Sequence, residues 1–197
     1  MAVKSDRLIT LFGGGGFIGR YAAQALFKAG CRVRIAEREP RRAFSLKPLA
    51  ALGQIQFVRV DLADKDAVAA ACHGADAAVN LVGILKGNFH KVHVEGARNI
   101  AEAAAAAGVP ALVHISSIGA DPESESAYGA SKGEGERAIR AAFAGATIVR
   151  PSIAFGQEDQ FLNKFARLAR AARLCRRSRQ GDRARRARAD PPCRRDL

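Results

Sequence analysis

The sequence predicts an α/β fold, a doubly wound parallel sheet with helices on both faces. Short apolar runs alternate with longer stretches in which apolar residues recur every three or four positions. A run of glycines separates the first strand candidate from the first helix candidate. The length of 197 residues is ample for one buried core and a tail. Together these features predict successive β-α-β units rather than an all-helical or all-strand protein.

Six short apolar runs, most of them rich in Val, Ile or Leu, are the predicted strands: residues 8–12, 32–36, 55–60, 77–82, 111–116 and 146–150. The first predicted helix follows the glycines and ends at Gly30, with one apolar face made by Ile18, Ala22, Ala25, Leu26 and Ala29. Further helices are predicted over 89–107 and 128–143, and a last one runs from Phe161 to about Leu174.

The net charge of +13 comes almost entirely from the end of the chain. Residues 1–160 hold 19 Lys and Arg against 16 Asp and Glu, whereas residues 161–197 hold 13 against 3. We therefore expect one folded domain over 1–174, nearly neutral up to residue 160, and a disordered, Arg-rich tail over 175–197. Nucleic-acid binding ranks last among the functions considered, because the tail has no interleaved aromatic residues.

The four cysteines lie far apart and form no C-x-x-C pair, so we expect reduced thiols and no metal site. The first apolar run is too short for a signal sequence or a membrane span. These features predict a cytoplasmic protein without a transmembrane segment.

The glycine run favours a Rossmann-type turn over a flexible linker, because it lies between a buried strand and a buried helix. In such a turn the first glycine, Gly13, permits the tight bend and Gly16 lets the backbone approach a pyrophosphate. The last, Gly19, allows the helix to pack closely on the strand, and the helix N-terminus supplies amide hydrogens. The sequence therefore predicts a nicotinamide dinucleotide site.

A phenol and an ammonium group share one helix face where Tyr128 precedes Lys132 by four residues. A fixed cation near a phenol favours the phenolate and makes it a better acid or base for a hydroxyl-carbonyl couple. Alone, such a spacing is typical of an ordinary helix pair. After a dinucleotide turn, it indicates an acid/base pair.

Several phrases together narrow the match: GGGGFIGRY, VNLVGIL, HVEGARNIAEAA, VHISSIGAD, YGASKGEGE and RPSIAFGQEDQFLNKFA. The chain resembles extended and atypical short-chain dehydrogenases, in particular those related to the nucleotide-binding accessory subunit of respiratory complex I and their bacterial, epimerase/dehydratase-like homologues. The spacing Gly13-x-x-Gly16-x-x-Gly19, with Phe17 and Ile18 inside it, carries much of the likeness.

By that resemblance Asp61 contacts the adenine, the amide of Leu62 supports it, and Val82 and Gly83 lie along the nicotinamide ribose. Residue types alone leave alternatives open. Asp61 could instead cap a helix, since Asp64 and Asp66 lie close by. Likewise the residues that end the fourth strand are typical of any strand-ending turn.

The choice between NAD and NADP depends on the end of the second strand. Glu37 stands where the family selects NAD, while Arg38, Arg41 and Arg42 follow at once and could hold a 2′-phosphate. A solvated charged loop is the plain alternative. We favour NADP(H) slightly, because three arginines outnumber one carboxylate.

The resemblance also assigns the catalytic positions. Tyr128 and Lys132 form the acid/base pair, Lys132 also contacts the cofactor, and Ser117 orients the substrate. In extended members an Asn holds the helix backbone and a water relay where this chain has His93, which puts proton relay in doubt. The other histidines, His73, His90 and His114, have a structural interpretation.

Two functions follow. The first is an accessory or assembly factor of complex I with a structurally bound nucleotide, lying peripherally on the inner membrane. The second is a working NAD(P)-dependent oxidoreductase or epimerase/dehydratase that acts on a small hydroxyl- or carbonyl-bearing substrate such as a nucleotide sugar.

The residues from about Arg173 onward differ in character from what the resemblance implies. By resemblance extended members continue with a substrate-covering lobe, and we expect that this lobe is lacking here. We expect the Arg-, Ala- and Pro-rich end to be the translation of a shifted reading frame. A basic anchor for anionic lipid is the alternative.

Overall fold

The fold is given by a computed structural model, which describes residues 6–159 and 162–170. Six parallel strands form one sheet in the order β3-β2-β1-β4-β5-β6. Their bounds are Leu8–Phe12 (β1), Arg32–Glu37 (β2), Ile55–Arg59 (β3), Ala77–Asn80 (β4), Leu112–Ile115 (β5) and Thr147–Val149 (β6). The strand order reverses between β1 and β4, which makes the sheet doubly wound and confirms the predicted fold class.

Four α-helices connect the strands: Phe17–Lys28 (α1), Lys65–Cys72 (α2), Gly96–Ala106 (α3) and Ala127–Ala142 (α4). A 3₁₀ segment, Pro40–Leu49, joins β2 to β3, and a π-helical turn, His90–Glu95, leads directly into α3. Capping decides where helices begin: the Asp64 carboxylate accepts from the Ala67 amide, and the Ser126 hydroxyl accepts from Gly129.

Each face of the sheet has its own apolar core. On one face α1 and the 3₁₀ segment cover a cluster that includes Leu11, Ile35 and Phe27. On the other face α2, α3 and α4 cover a cluster that includes Phe12 and Ile100. Successive residues of one strand point to opposite faces, so the two neighbours Leu11 and Phe12 belong to different cores.

The buried face of α1 differs from the predicted one. Gly19, Ala23 and Phe27 are buried, whereas Ile18 and Ala25 are exposed. The helix is rotated so that its smallest residue meets the glycine turn, and close approach of the backbones outweighs burial of the larger Ile18. The predicted apolar face was therefore wrong by about one residue.

Residues up to Ile153 form one compact unit, and Ala154 begins a second. In the second unit Asp159 accepts hydrogen bonds from the Leu162 and Gly156 amides, and the Asn163 side chain donates to the Gln157 and Asp159 carbonyls. Residues 162–170 are helical, as predicted. The predicted tail, 175–197, lies outside the described residues.

No helix in the described part of the chain is both long and apolar enough to cross a membrane.

Candidate dinucleotide site

The turn between β1 and α1 is built from backbone contacts that only glycine permits. Gly13 has a φ of 79°, a backbone conformation that residues with a side chain rarely adopt. A Cβ on Gly19 would lie 2.5 Å from the Gly14 carbonyl oxygen, and one on Gly14 would lie 2.8 Å from Ile35 Cδ1. By contrast, a Cβ on Gly16 would meet only the Gly13 oxygen, at 3.3 Å. Gly19 and Gly14 therefore serve packing, while Gly16 leaves space.

Helix α1 begins with its N-terminus open. Its N-cap residue is Gly16, and no side chain of the described residues caps it. The amides of a first helical turn have no partner within the helix, and the helix dipole adds positive potential there. This helix start can therefore hold a phosphate or pyrophosphate.

A cavity of about 440 Å³ opens at the carboxyl edge of the sheet. Six of the predicted cofactor residues line it: Gly13, Glu37, Arg38, Asp61, Leu62 and Val82. Arg42, one of the arginines considered for a 2′-phosphate, lines it too. Ten further lining residues were not identified from the sequence: Ala36, Glu39, Val60, Ala63, Ile84, Lys86, Gly87, Asn88, Lys91 and Val92. Its volume falls within the range of small-molecule and cofactor pockets.

Glu37 connects the end of β2 to the glycine turn. Its Oε1 accepts a hydrogen bond of 2.7 Å from the Gly15 amide. Burial raises the pKa of this carboxyl, although the Gly15 amide and the nearby Arg42 and Arg38 oppose that rise. Arg42 itself forms an ion pair of 2.8 Å with Glu39. Carboxylate and guanidinium groups thus lie together at the cavity wall where a ribose or a ribose phosphate would bind.

Asp64, rather than Asp61, is the residue that caps the helix after β3. Asp64 is the N-cap of α2, while Asp61 Oδ1 accepts from the Ala63 amide and its residue lines the cavity. With the apolar Leu62 and Val82 also in the wall, this end of the cavity offers a polar edge and two apolar surfaces. A flat heteroaromatic ring such as adenine fits that combination.

The three predicted catalytic residues lie at the end of β5 and in the first turns of α4. Lys132 is buried, and its Nζ donates a 2.9 Å hydrogen bond to the Ile115 carbonyl. Burial lowers the pKa of Lys132 to about 8, against the attraction of Glu136. Ser117 Oγ is buried without a hydrogen-bond partner among the described residues. Within the same part of the chain, no hydrogen bond joins the side chains of Ser117, Tyr128 and Lys132.

A set of buried polar side chains surrounds Lys132. Burial and the Lys132 charge lower the pKa of His93 to about 4 and that of His114 to about 3, so both rings are neutral at physiological pH. For Glu136, burial opposes ionisation, but two hydrogen bonds from Arg150, of 2.8 and 2.7 Å, outweigh it and hold the pKa below its usual value.

Of the remaining predicted cofactor residues, Gly16, Phe17, Ile18 and Gly19 form the open start of α1, and Gly83 follows β4 beside His93. Two basic residues of the cavity wall were missed, Lys86 in the loop after β4 and Lys91 in the π-helical turn. A usable signal existed, because parallel strands end at one edge and the segment after β4 must therefore border the same cavity.

Comparison with known proteins agrees with this geometry. A family model described as NAD(P)H-binding matches residues 13–170. The NADH-ubiquinone oxidoreductase 40 kDa subunit, mitochondrial, of Neurospora crassa is 38% identical over 161 residues, 80% of this chain and 43% of that protein. The ceramide reductase of Caulobacter vibrioides is 35% identical over 164 residues, 81% of this chain and 50% of that protein.

Among solved structures, a putative NAD-dependent epimerase/dehydratase from Bacillus halodurans superposes with a TM-score of 0.66 at 21% identity, over 78% of this chain and 74% of that one. The chain spans half or less of the length of the two curated relatives.

Sheet order, glycine turn and cavity define a Rossmann-type protein with a nicotinamide dinucleotide site. More narrowly, the chain belongs to the NAD(P)H-binding family, and its homologues include subunits of respiratory complex I.

We predict that Gly16→Ala and Gly19→Ala fail in different ways. Gly19→Ala lowers the free energy of unfolding by about 2 kcal/mol, because its methyl group collides with the Gly14 carbonyl. Gly16→Ala changes that free energy by less than about 1 kcal/mol, but weakens binding of a nicotinamide dinucleotide by about tenfold or more, because the methyl group occupies the phosphate approach. Urea unfolding and calorimetry measure the two effects. Equal losses of stability in both variants would contradict the division of roles.

Proposed function

We propose that this chain holds NADP(H) as a bound, structural nucleotide. The observation that carries the proposal is a cavity beside the uncapped start of α1, which can hold an anion. The same cavity has a ribose-reading wall, formed by Glu37 and Arg38 at the end of β2, where a ribose or its phosphate would bind. Arg38, Arg42, Lys86 and Lys91 give that cavity four cationic side chains against three carboxylates, those of Glu37, Glu39 and Asp61. The excess of positive charge suits a ligand with three phosphate groups.

The preference for NADP(H) over NAD(H) rests on the Arg38 and Glu37 neighbourhood. Glu37 uses one carboxylate oxygen for the Gly15 amide, which reduces its capacity to bind both ribose hydroxyls. Arg38 lies beside it at the cavity wall, and an Arg donates paired hydrogen bonds to phosphate. Together these features favour a 2′-phosphate.

We propose further that the nucleotide is retained rather than turned over, in an accessory or assembly factor of respiratory complex I at the membrane surface. The name of the Neurospora crassa relative supports this partner. A structural role for the nucleotide is supported by Lys132, whose ammonium is held by the Ile115 carbonyl of the sheet.

The second candidate is a reductase or epimerase/dehydratase, favoured by the presence of both Tyr128 and Lys132 four residues apart on α4. Ser117 supports it too, because its buried hydroxyl has no partner in the described structure and a substrate oxygen could supply one. The name of the Caulobacter vibrioides relative, ceramide reductase, also supports a reductase.

Cofactor selectivity is tested by calorimetry with NADPH and NADH. Arg38→Ala weakens NADPH by about tenfold and NADH by less than about threefold, because only the 2′-phosphate loses a partner. Arg41→Ala is the matched control, since Arg41 is exposed and does not line the cavity, and it leaves both affinities unchanged. Equal losses for the two cofactors in Arg38→Ala would assign selection to Glu37 and contradict the preference for NADP(H).

The two candidate functions are separated by single-turnover reoxidation of bound NADPH with a panel of carbonyl compounds. For a structural nucleotide, wild type and Tyr128→Phe bind NADPH with affinities within about threefold and neither oxidises it, because the phenol oxygen is not needed for binding. Oxidation by the wild type that Tyr128→Phe abolishes would establish the enzyme and contradict the structural proposal.

A further inference from the structure

His93 connects the segment after β4 with helix α4, two parts of the molecule that lie far apart in sequence. It is buried, with 2% of its surface exposed, in the π-helical turn. On one side its Nε2 accepts a 3.0 Å hydrogen bond from the Ile84 amide, in the cavity wall after β4. On the other side its Nδ1 lies 2.9 Å from Ser131 Oγ on α4.

The hydrogen-bond directions fix the tautomer of His93. The Ser131 hydroxyl donates its proton to the Tyr128 carbonyl at 2.8 Å, so Ser131 Oγ can only accept from His93. Nδ1 therefore carries the proton, and Nε2 presents its lone pair to the Ile84 amide. A continuous chain of donors runs from the cavity wall through His93 and Ser131 to the backbone of Tyr128.

The packing around His93 leaves little freedom for this link. The ring stacks on Phe89 with centroids 5.5 Å apart and an interplanar angle of 11°, and it meets the Tyr128 ring edge-on at 5.5 Å and 89°. Helix α4 lies directly on the π-helical turn, since a Cβ on Gly135 would collide with the His93 carbonyl oxygen. A displacement at Ile84 is therefore passed on to Tyr128 rather than absorbed.

We propose that His93 is a positioning residue that couples occupancy of the dinucleotide cavity to the placement of the Tyr128 ring. The proposal rests on the proposed function, because Ile84 lines the cavity in which the nucleotide would lie. In this chain both ring nitrogens of His93 are committed to the link, and neither is left to hold a relay water.

The test uses a ligand that lacks the nicotinamide, so that a change at Tyr128 cannot come from that ring. 2′-Phospho-ADP-ribose, which keeps both riboses and all three phosphates, is titrated into protein with ¹³C-labelled tyrosine rings, and the resonances are followed by NMR. The chain has two tyrosines, and Tyr21→Phe assigns the signal of Tyr128. We expect the Tyr128 resonance of the wild type to shift on binding.

Two variants cut the link at different ends. Ser131→Ala removes the connection to Tyr128, while His93→Asn keeps a donor toward Ser131 but withdraws the acceptor from Ile84. Both should bind the fragment within about threefold of the wild type and lose most of the Tyr128 shift. Ser124→Ala is the matched control: it removes a hydroxyl that accepts from the Ser126 amide just before α4 and takes no part in the hydrogen bonds of His93, and it retains the full shift.

An undiminished shift in folded His93→Asn would overturn the coupling and leave the proposed function intact. Binding by the wild type without any Tyr128 shift would do the same. If the wild type does not bind the fragment at all, the proposed function fails, and the coupling fails with it.

Discussion

Helix α1 approaches the end of β1 so closely that its first turns rest on the backbone of the glycine loop. That approach requires Gly19 against the Gly14 carbonyl and Gly14 against Ile35 and Leu11. It places the open N-terminus of α1 at the edge where the sheet order reverses. The position of Glu37 depends on the same loop, because its carboxylate is held by the Gly15 amide. A bulkier loop would separate the anion site from the ribose-reading wall.

A second constraint lies beneath α4, where buried polar groups lie beside the apolar core. Lys132 and Glu136 are one helical turn apart, and each is bound by a partner outside the helix, Ile115 and Arg150 respectively. Since a buried charge without such a partner is costly, these bonds fix how α4 sits on β5 and β6. The first turn of α4, with Tyr128, is held by the neutral His93 through Ser131. Its position is thus determined by hydrogen bonds as well as by packing.

Much of this architecture follows from the sequence, because its signals are local. Strands of Val, Ile and Leu, helix ends at Gly30 and Gly108, and the glycine turn are each written in a few adjacent residues. The prediction of the buried face of α1 was wrong because sequence periodicity reports apolar side chains, whereas Gly19 is buried because it has no side chain. The cavity walls at Ile84 and Lys86 belong to an irregular loop without periodicity, and Lys91 lies in the π-helical turn that follows it. The role of His93 was out of reach, since it depends on contacts with Ile84 and Ser131, the latter 38 positions away.

The central claim is that the glycine loop, the end of β2 and the segment after β4 jointly enclose one dinucleotide. Hydrogen–deuterium exchange with and without saturating NADPH tests it on the whole chain, because it reports where backbone amides become protected. The account predicts protection at the start of α1, at residues 37–42, at 61–63 and at 82–92, with little change on the outer faces of α3 and α4. Saturable binding that protects none of these segments, or that protects only residues elsewhere, would contradict it.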